Sequence, residues 1–218
     1  MKNLRIGMLA LWASLAACTP FRPPAETTAD GLERVPSRPE GGVYRKIDVD
    51  FNRYKRLMIE PLTVEYREGW RKQHPDVSDV ELRRIEIETV KNFRDVFTEV
   101  LVDEGPFELA EVREADVLVV VPRMRDLKIP APETSSDTGY QSFSLRAISM
   151  EMTGELRDGI SGDVLLRVNM IEPEGRENLH KGDGPNRISN AREIRLSMEK
   201  WSRLVREAFD VAKASKPR

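Results

Sequence analysis

The chain has 218 residues, with 37 acidic and 35 basic side chains and a formal charge of −2. Hydrophobic residues make up 39% and charged residues 33%, which is enough apolar material for one core and too much for a wholly disordered chain. A single cysteine excludes an internal disulfide framework and every multi-cysteine zinc site, the two histidines (His74 and His180) leave little room for histidine-based catalysis, and so even a charge gives no reason to expect a nucleic-acid partner.

Lys2 and Arg5 open the chain with positive charge. Ile6 to Leu15 follows as an apolar run of ten, broken only by Gly7 and Ser14. Ala16, Ala17 and Cys18 come next, which is the layout of a secretory leader. The run is too short to span a bilayer, which takes roughly 20 apolar residues. Leu15-Ala16-Ala17-Cys18 resembles the lipobox of bacterial lipoproteins. The resemblance implies cleavage after residue 17 and acylation of Cys18, which becomes the membrane anchor. Several acyl chains hold such an anchor firmly, at about 0.8 kcal/mol per buried CH₂. The next residue is Thr19 and not the aspartate that marks inner-membrane retention in that family, so the expected site is the outer membrane, facing the periplasm. With Lys2 and Arg5 gone, the mature charge falls from −2 to −4.

Residues 18–42 read as a flexible, Pro-rich tether carrying Pro20, Pro23, Pro24, Pro36 and Pro39. Residues 19–42 could span at most about 80 Å. Residues 43–218 read as one domain. From Val43 the pattern alternates, and Leu57 and Ile59 mark a strand that ends at Pro61. Residues 65–77 are polar and irregular. Ser78-Asp-Val-Glu81 fits a capping box. Leu82, Ile85, Phe93, Val96, Phe97, Val100 and Leu101 then fall at steps of three and four, predicting a helix of about seven turns stopped by Gly105-Pro106. Val117–Val121 is a β-branched run that continues by alternation to Ile129. After a Pro- and Ser-rich loop, residues 144–158 alternate strictly, with Ile148, Met150, Met152 and Leu156 on one face. A turn at 158–163 leads to a return strand carrying Val164, Leu166, Val168 and Met170. A closing helix is predicted from Ser189 or Asn190, with Ile194, Met198, Trp201, Val205, Ala208 and Val211 as its stripe. The expected order is β-α-β-β-β-α: an α+β domain with a mixed sheet of about four strands and two helices on one face.

The lipobox, the strand Phe51-Asn-Arg-Tyr-Lys-Arg-Leu-Met-Ile-Glu-Pro61, the run Ala115-Asp-Val-Leu-Val-Val-Val121 and the late Trp201 helix together resemble a group of proteobacterial outer-membrane lipoproteins of unknown function. Those domains are similar in fold to the amino-terminal domain of the Tol system's periplasmic protein, and to the curli-secretion and penicillin-binding-protein-activator lipoproteins. The resemblance implies a periplasmic partner-binding or assembly role and no reaction.

Motifs that carry chemistry are sparse. Asp158-Gly159-Ile160-Ser161-Gly162 has the wrong spacing for a nucleophile elbow and reads as a hairpin turn. Walker and dinucleotide fingerprints are absent, and no cofactor is expected. His180 with Asp183 falls short of a coordination sphere, and His74 reads as exposed. Glu151 and Glu155 fit a solvated sheet face. Arg67, Arg71 and Lys72 around Trp70 could make a basic-aromatic patch, but Glu65, Glu68 and Asp76 dilute it, which favours a loop with a partly buried tryptophan. Arg192, Arg195, Lys200, Arg203 and Arg206, interleaved with glutamates, read as the solvent face of the last helix.

The expected function is a membrane-anchored, non-catalytic binding module of the cell envelope. Its partners are the membrane, through lipidated Cys18, and an envelope protein contacted by loops 65–77, 130–142 and 173–189. The alternative is an auxiliary lipoprotein carrying a lipid or small solute in a pocket lined by Met150, Met152 and Met170. The sequence leaves the partner and the oligomeric state open.

Overall fold

The computed structural model describes residues 26–35, 42–75, 77–129, 148–172 and 187–215, with only the backbone for 187–190. They form one α+β domain built on a mixed sheet of eight strands. The strands are β1 (Glu33–Val35), β2 (Gly42–Arg45), β3 (Arg56–Ile59), β4 (Thr63–Tyr66), β5 (Glu108–Leu109), β6 (Val117–Lys128), β7 (Ser149–Asp158) and β8 (Val164–Glu172). Their order is β1-β2-β8-β7-β6-β3-β5, and β4 also pairs with β6. Three helices accompany them: α1 (Trp70–Gln73), α2 (Asp79–Thr98) and α3 (Arg187–Ala214).

The expected four strands correspond to β3, β6, β7 and β8. The sheet has twice that number because β1, β2, β4 and β5, two to four residues long, take their place from partners distant in sequence, whereas the equally short β3 is marked by Leu57, Ile59 and the Pro61 stop. The segment 65–77, read as irregular, holds the end of β4 and the short helix α1. The tether boundary moves too. Within 18–42, residues 33–35 pair antiparallel with β2, Thr27 bridges to Glu33, and Leu32 is fully buried. The prolines lie around β1, not in it, so they leave its ladder bonds intact.

Helix α2 starts as expected, with the Ser78 hydroxyl accepting from the Glu81 amide at 3.2 Å. The Glu81 carboxylate turns to Arg84 instead of completing the box. The helix then widens into a π turn (Glu99–Asp103) before stopping at Gly105, where a Cβ would lie 2.0 Å from the Leu101 carbonyl oxygen. Helix α3 already includes Arg187, so it begins before Ser189 and Asn190 and those residues do not cap it. Its buried stripe ends on Ala208, Phe209 and Ala212, while Val211 faces solvent.

Strand β6 organises the sheet. Its first half pairs in parallel with β3 and its second half in parallel with β4. Pro122 sits at the gap between them, where no ladder amide is required, and this is how a proline is accommodated inside a central strand. On its other side β6 runs antiparallel to β7, and β7 to β8. The side chains of Leu118, Val120, Met124, Met152, Leu156, Leu166 and Val168 join Phe93, Phe97, Met198 and Trp201 of the two long helices in one core. Trp201 packs against Phe97 at 5.0 Å and Phe93 at 5.9 Å. Its indole also lies over Gly154, where a Cβ would come within 2.7 Å of Cζ2. A glycine in β7 is what lets the helix approach this closely.

Candidate functional site

Cys18 lies outside the described residues, as do residues 130–142, His180 and Asp183. The rest of the sequence-derived candidates can be placed. Trp70 is buried, not partly exposed: its Nε1 donates to the Ile129 carbonyl at 2.9 Å, and its ring stacks between Tyr66 and His74 at 5.1 and 4.5 Å. His74 is half-buried by that stack, and its Nδ1 lies 2.8 Å from the Trp70 carbonyl oxygen. Arg67 grips Asp126 through Nε and Nη2 at 3.0 and 2.8 Å and donates to the buried Ser149 hydroxyl at 2.9 Å. Asp126 has φ +52 and marks a bulge in β6, so Arg67 fastens a backbone kink. Arg71 donates to Asp79 at 2.6 Å and to the Val77 carbonyl. Arg67, Arg71 and Trp70 are therefore spent on internal contacts, while Lys72 is exposed.

The turn at 158–163 is a hairpin apex, as its spacing suggested. Asp158 is 5% exposed and accepts four hydrogen bonds. The Ile160 and Ser161 amides donate to Oδ1 at 2.9 and 2.8 Å, while the Tyr54 hydroxyl (2.7 Å) and the Arg53 guanidinium donate to Oδ2. Burial alone pushes this carboxyl up. The amides, the hydroxyl and the cation outweigh it and hold the group well below the usual carboxylate range. Burial and the same bond push the Tyr54 phenol up. Ser161 Oγ accepts from the Asp163 amide at 3.2 Å, a turn role.

The side of the sheet away from α2 and α3 carries its polar residues in rows set by register. One row runs Val121, Glu155, Arg167, Tyr44, Arg34 across five strands. The next runs Arg123, Thr153, Asn169, Gly42, and the one after it Arg125, Glu151, Ile171. In the first, Glu155 lies between Arg157 (2.5 Å) and Arg167 (2.9 Å), and Arg167 also holds Asp30 at 2.5 Å. Burial raises the Glu155 pKa, but the two arginines bring it below its ordinary value, and Arg167 with Thr28 holds Asp30 down at about 2. Glu155 is thus part of a closed ion network, while Glu151 is exposed, as a solvated face requires. Sequence alternation places these side chains on a common face. The pairing of strands far apart in sequence, such as β2 with β8, had no signal in it.

On α3, Arg195 meets Glu99 and Glu199, Lys200 meets Glu172, and Arg206 donates to the Val100 carbonyl, one of the groups that the π turn leaves accessible. Met150, Met152 and Met170 are each no more than 2% exposed and belong to the core. Among the described residues, no group of three or more His, Cys, Asp or Glu side chains is placed to hold a metal ion, and no helix is long and apolar enough to cross a membrane.

No family model and no curated protein matches the chain. Among solved structures, the chain is similar to a PelC dodecamer from Paraburkholderia phytofirmans, with 10% identity, a TM-score of 0.37, and coverage of 81% of this chain and 99% of that one. It is also similar to a neuraminyllactose-binding hemagglutinin homolog from Helicobacter pylori, with 12% identity, a TM-score of 0.32, and coverage of 79% and 88%. Likenesses this distant carry neither family nor function.

Proposed function

We propose that the protein is an envelope lipoprotein, held at the periplasmic face of the outer membrane by acylated Cys18, whose domain is a non-catalytic protein-binding or assembly module. The observation that carries the reading is the order of the leader. Basic residues, a ten-residue apolar run and two alanines stand directly before the single cysteine of the chain. The polar clusters of the domain support the second half. Asp158 clasps a turn, Arg67 fastens a bulge and Glu155 ties β7 to β8, so each serves the scaffold, and the exposed polar residues of the sheet remain for recognition.

The test is metabolic labelling with palmitate in a bacterium with two membranes. The parent protein should take up label and sediment with outer membranes, and Cys18→Ser should lose the label and appear in the soluble periplasmic fraction. A parent protein that stays unlabelled sinks the anchoring half. The assembly half is tested by photo-cross-linking full-length protein in its native cells and identifying the adduct. The alternative, an auxiliary lipoprotein carrying a lipid or small solute, would give a lipid or solute adduct. It has no observation in its favour, since the three methionines it would use are packed against other core residues.

A further inference from the structure

We infer that residues 26–35 form a strap that two copies of this chain exchange, the strap of one closing on β2 and β8 of the other. The inference goes beyond the envelope-binding reading above and does not depend on it. The way the strap is held is the first argument. It folds on itself at Gly31 (φ +79): the Thr28 amide donates to the Leu32 carbonyl at 2.9 Å, and the Leu32 amide donates to Thr28 Oγ1 at 3.0 Å. The Arg34 amide donates to the Glu26 carbonyl at 2.8 Å. These bonds lie within the strap and travel with it. Its ties to the sheet among the described residues are of another kind. Residues 33–35 pair with β2, Leu32 is fully buried, Val35 packs against the core, and Asp30 grips Arg167 of β8 through both carboxylate oxygens at 3.2 and 2.5 Å. Arg34 Nε is buried without a hydrogen-bond partner among the described residues, so one donor of the strap stays unmet when it is closed.

What an open strap leaves behind is the second argument. It uncovers the edge of β2, the site of Leu32 and the guanidinium of Arg167. An uncovered edge is a template for another strand. This one is cut to the sequence Asp30-Gly-Leu-Glu-Arg-Val35, and a second copy carries that sequence. The strap of a neighbour can therefore restore every bond between strap and sheet with the same chemistry at each atom. In the single chain the strap lies on its own sheet, and the exchanged pair makes the same contacts across two chains. The connector is the third argument. Because β1 and β2 are antiparallel neighbours, the six residues between them reverse the chain when a strap closes on its own sheet. They read Pro36-Ser-Arg-Pro-Glu-Gly41. Proline fixes its own φ, and it biases the residue before it, here Val35 and Arg38, towards extended backbone. A connector of that composition favours the extended path that delivers the strap to a neighbour.

The experiment uses full-length lipidated protein in the membranes of the cells that make it. Glu33 and Arg45 stand directly opposite each other in the register of β1 and β2, a spacing that a disulfide bridges. Two differently tagged chains are produced together, one with Glu33→Cys and the other with Arg45→Cys, and are oxidised mildly. Exchange should give a disulfide-linked pair carrying both tags on non-reducing gels, and mass spectrometry of the linked peptides should place the bond between positions 33 and 45, apart from Cys18. Chance collisions are measured by pairing Glu33→Cys with Ile87→Cys, since Ile87 is exposed on α2. That pair should give about ten-fold less product, because a docked strap raises the local concentration of its cysteine. Thermal melts matching the parent show that the variants keep the fold. A linked pair no more abundant than the collision pair overturns the inference. So does a double variant, Glu33→Cys with Arg45→Cys in one chain, that oxidises entirely within single chains.

Discussion

At the apex of the β7–β8 hairpin, one carboxylate replaces its water with four protein donors. Asp158 joins the turn amides to Tyr54 and Arg53, whose guanidinium lies 4.7 Å from the centre of the Tyr54 ring. Its pKa in the folded chain is depressed, so its ionised form favours folding at every pH above the ordinary carboxylate range. That stability is lost as pH falls through the unfolded value, near 3.9, towards the lower folded one. Asp158→Asn keeps the shape but replaces one acceptor oxygen, the one that takes the Tyr54 and Arg53 bonds, by an NH2 donor. We expect a cost of about 2–3 kcal/mol at pH 7, shrinking below about pH 3, measured by thermal melts across pH. Equal stability of parent and variant at pH 7 would rule out the clasp. Tyr66 is the opposite case. Its hydroxyl is buried without a partner, and burial with the nearby Glu86 pushes it up to about 12. Tyr66→Phe removes an unpaired polar atom while keeping the stack on Trp70, so it should raise stability by up to about 1 kcal/mol in denaturant titration. A loss would reveal a partner for that hydroxyl.

At the scale of elements, the close approach of α3 to β7 depends on a missing side chain. Gly154→Ala places a methyl against the Trp201 indole, which Phe93 and Phe97 hold from the other side. The expected cost is about 1–3 kcal/mol with an altered tryptophan emission, and an unchanged spectrum would mean that the ring yields without effect. The long elements were legible in the sequence because their signals are local. Ser78 and the three-four spacing to Leu101 place α2, and alternation places β7 and β8 together with their buried faces. Of the short strands only β3 was, through Leu57, Ile59 and Pro61. Residues 63–66 form a strand because the second half of β6 offers an open edge, a fact about a segment some sixty residues away. Trp70 was legible as a landmark but not as a core residue, since the Ile129 carbonyl that fixes it comes from the far end of β6. The same holds for the polar sheet face: period two assigns Arg123 and Arg125 to one side, but only the strand pairing shows Glu151 opposite Arg125 and Thr63 beside Arg123.

For the whole molecule, the fold redraws the boundary between tether and domain. Residues 26–35 cover the outer edge of β2, which would otherwise present unpaired amides and carbonyls. A chain starting at Gly42 should therefore be less stable and more prone to associate than one starting at Glu26. Light scattering against temperature reads this directly, and identical curves would make β1 dispensable. The reach of the domain changes as well. If the chain is anchored at Cys18, at most about 26 Å of backbone separates the anchor from Glu26, against the 80 Å or so that a tether running to Gly42 would allow.

The position of β1 has a mechanical side. Any load between a membrane anchor and a bound partner reaches the domain through residues 26–35. It meets the three-residue β1 long before the twelve-residue β6 at the centre of the sheet. The edge is the part that opens at least cost, by local unfolding that leaves the core packed. Under tension the domain would release the segment 26–35 first, lengthening its own leash while the central strands and both long helices stay in place.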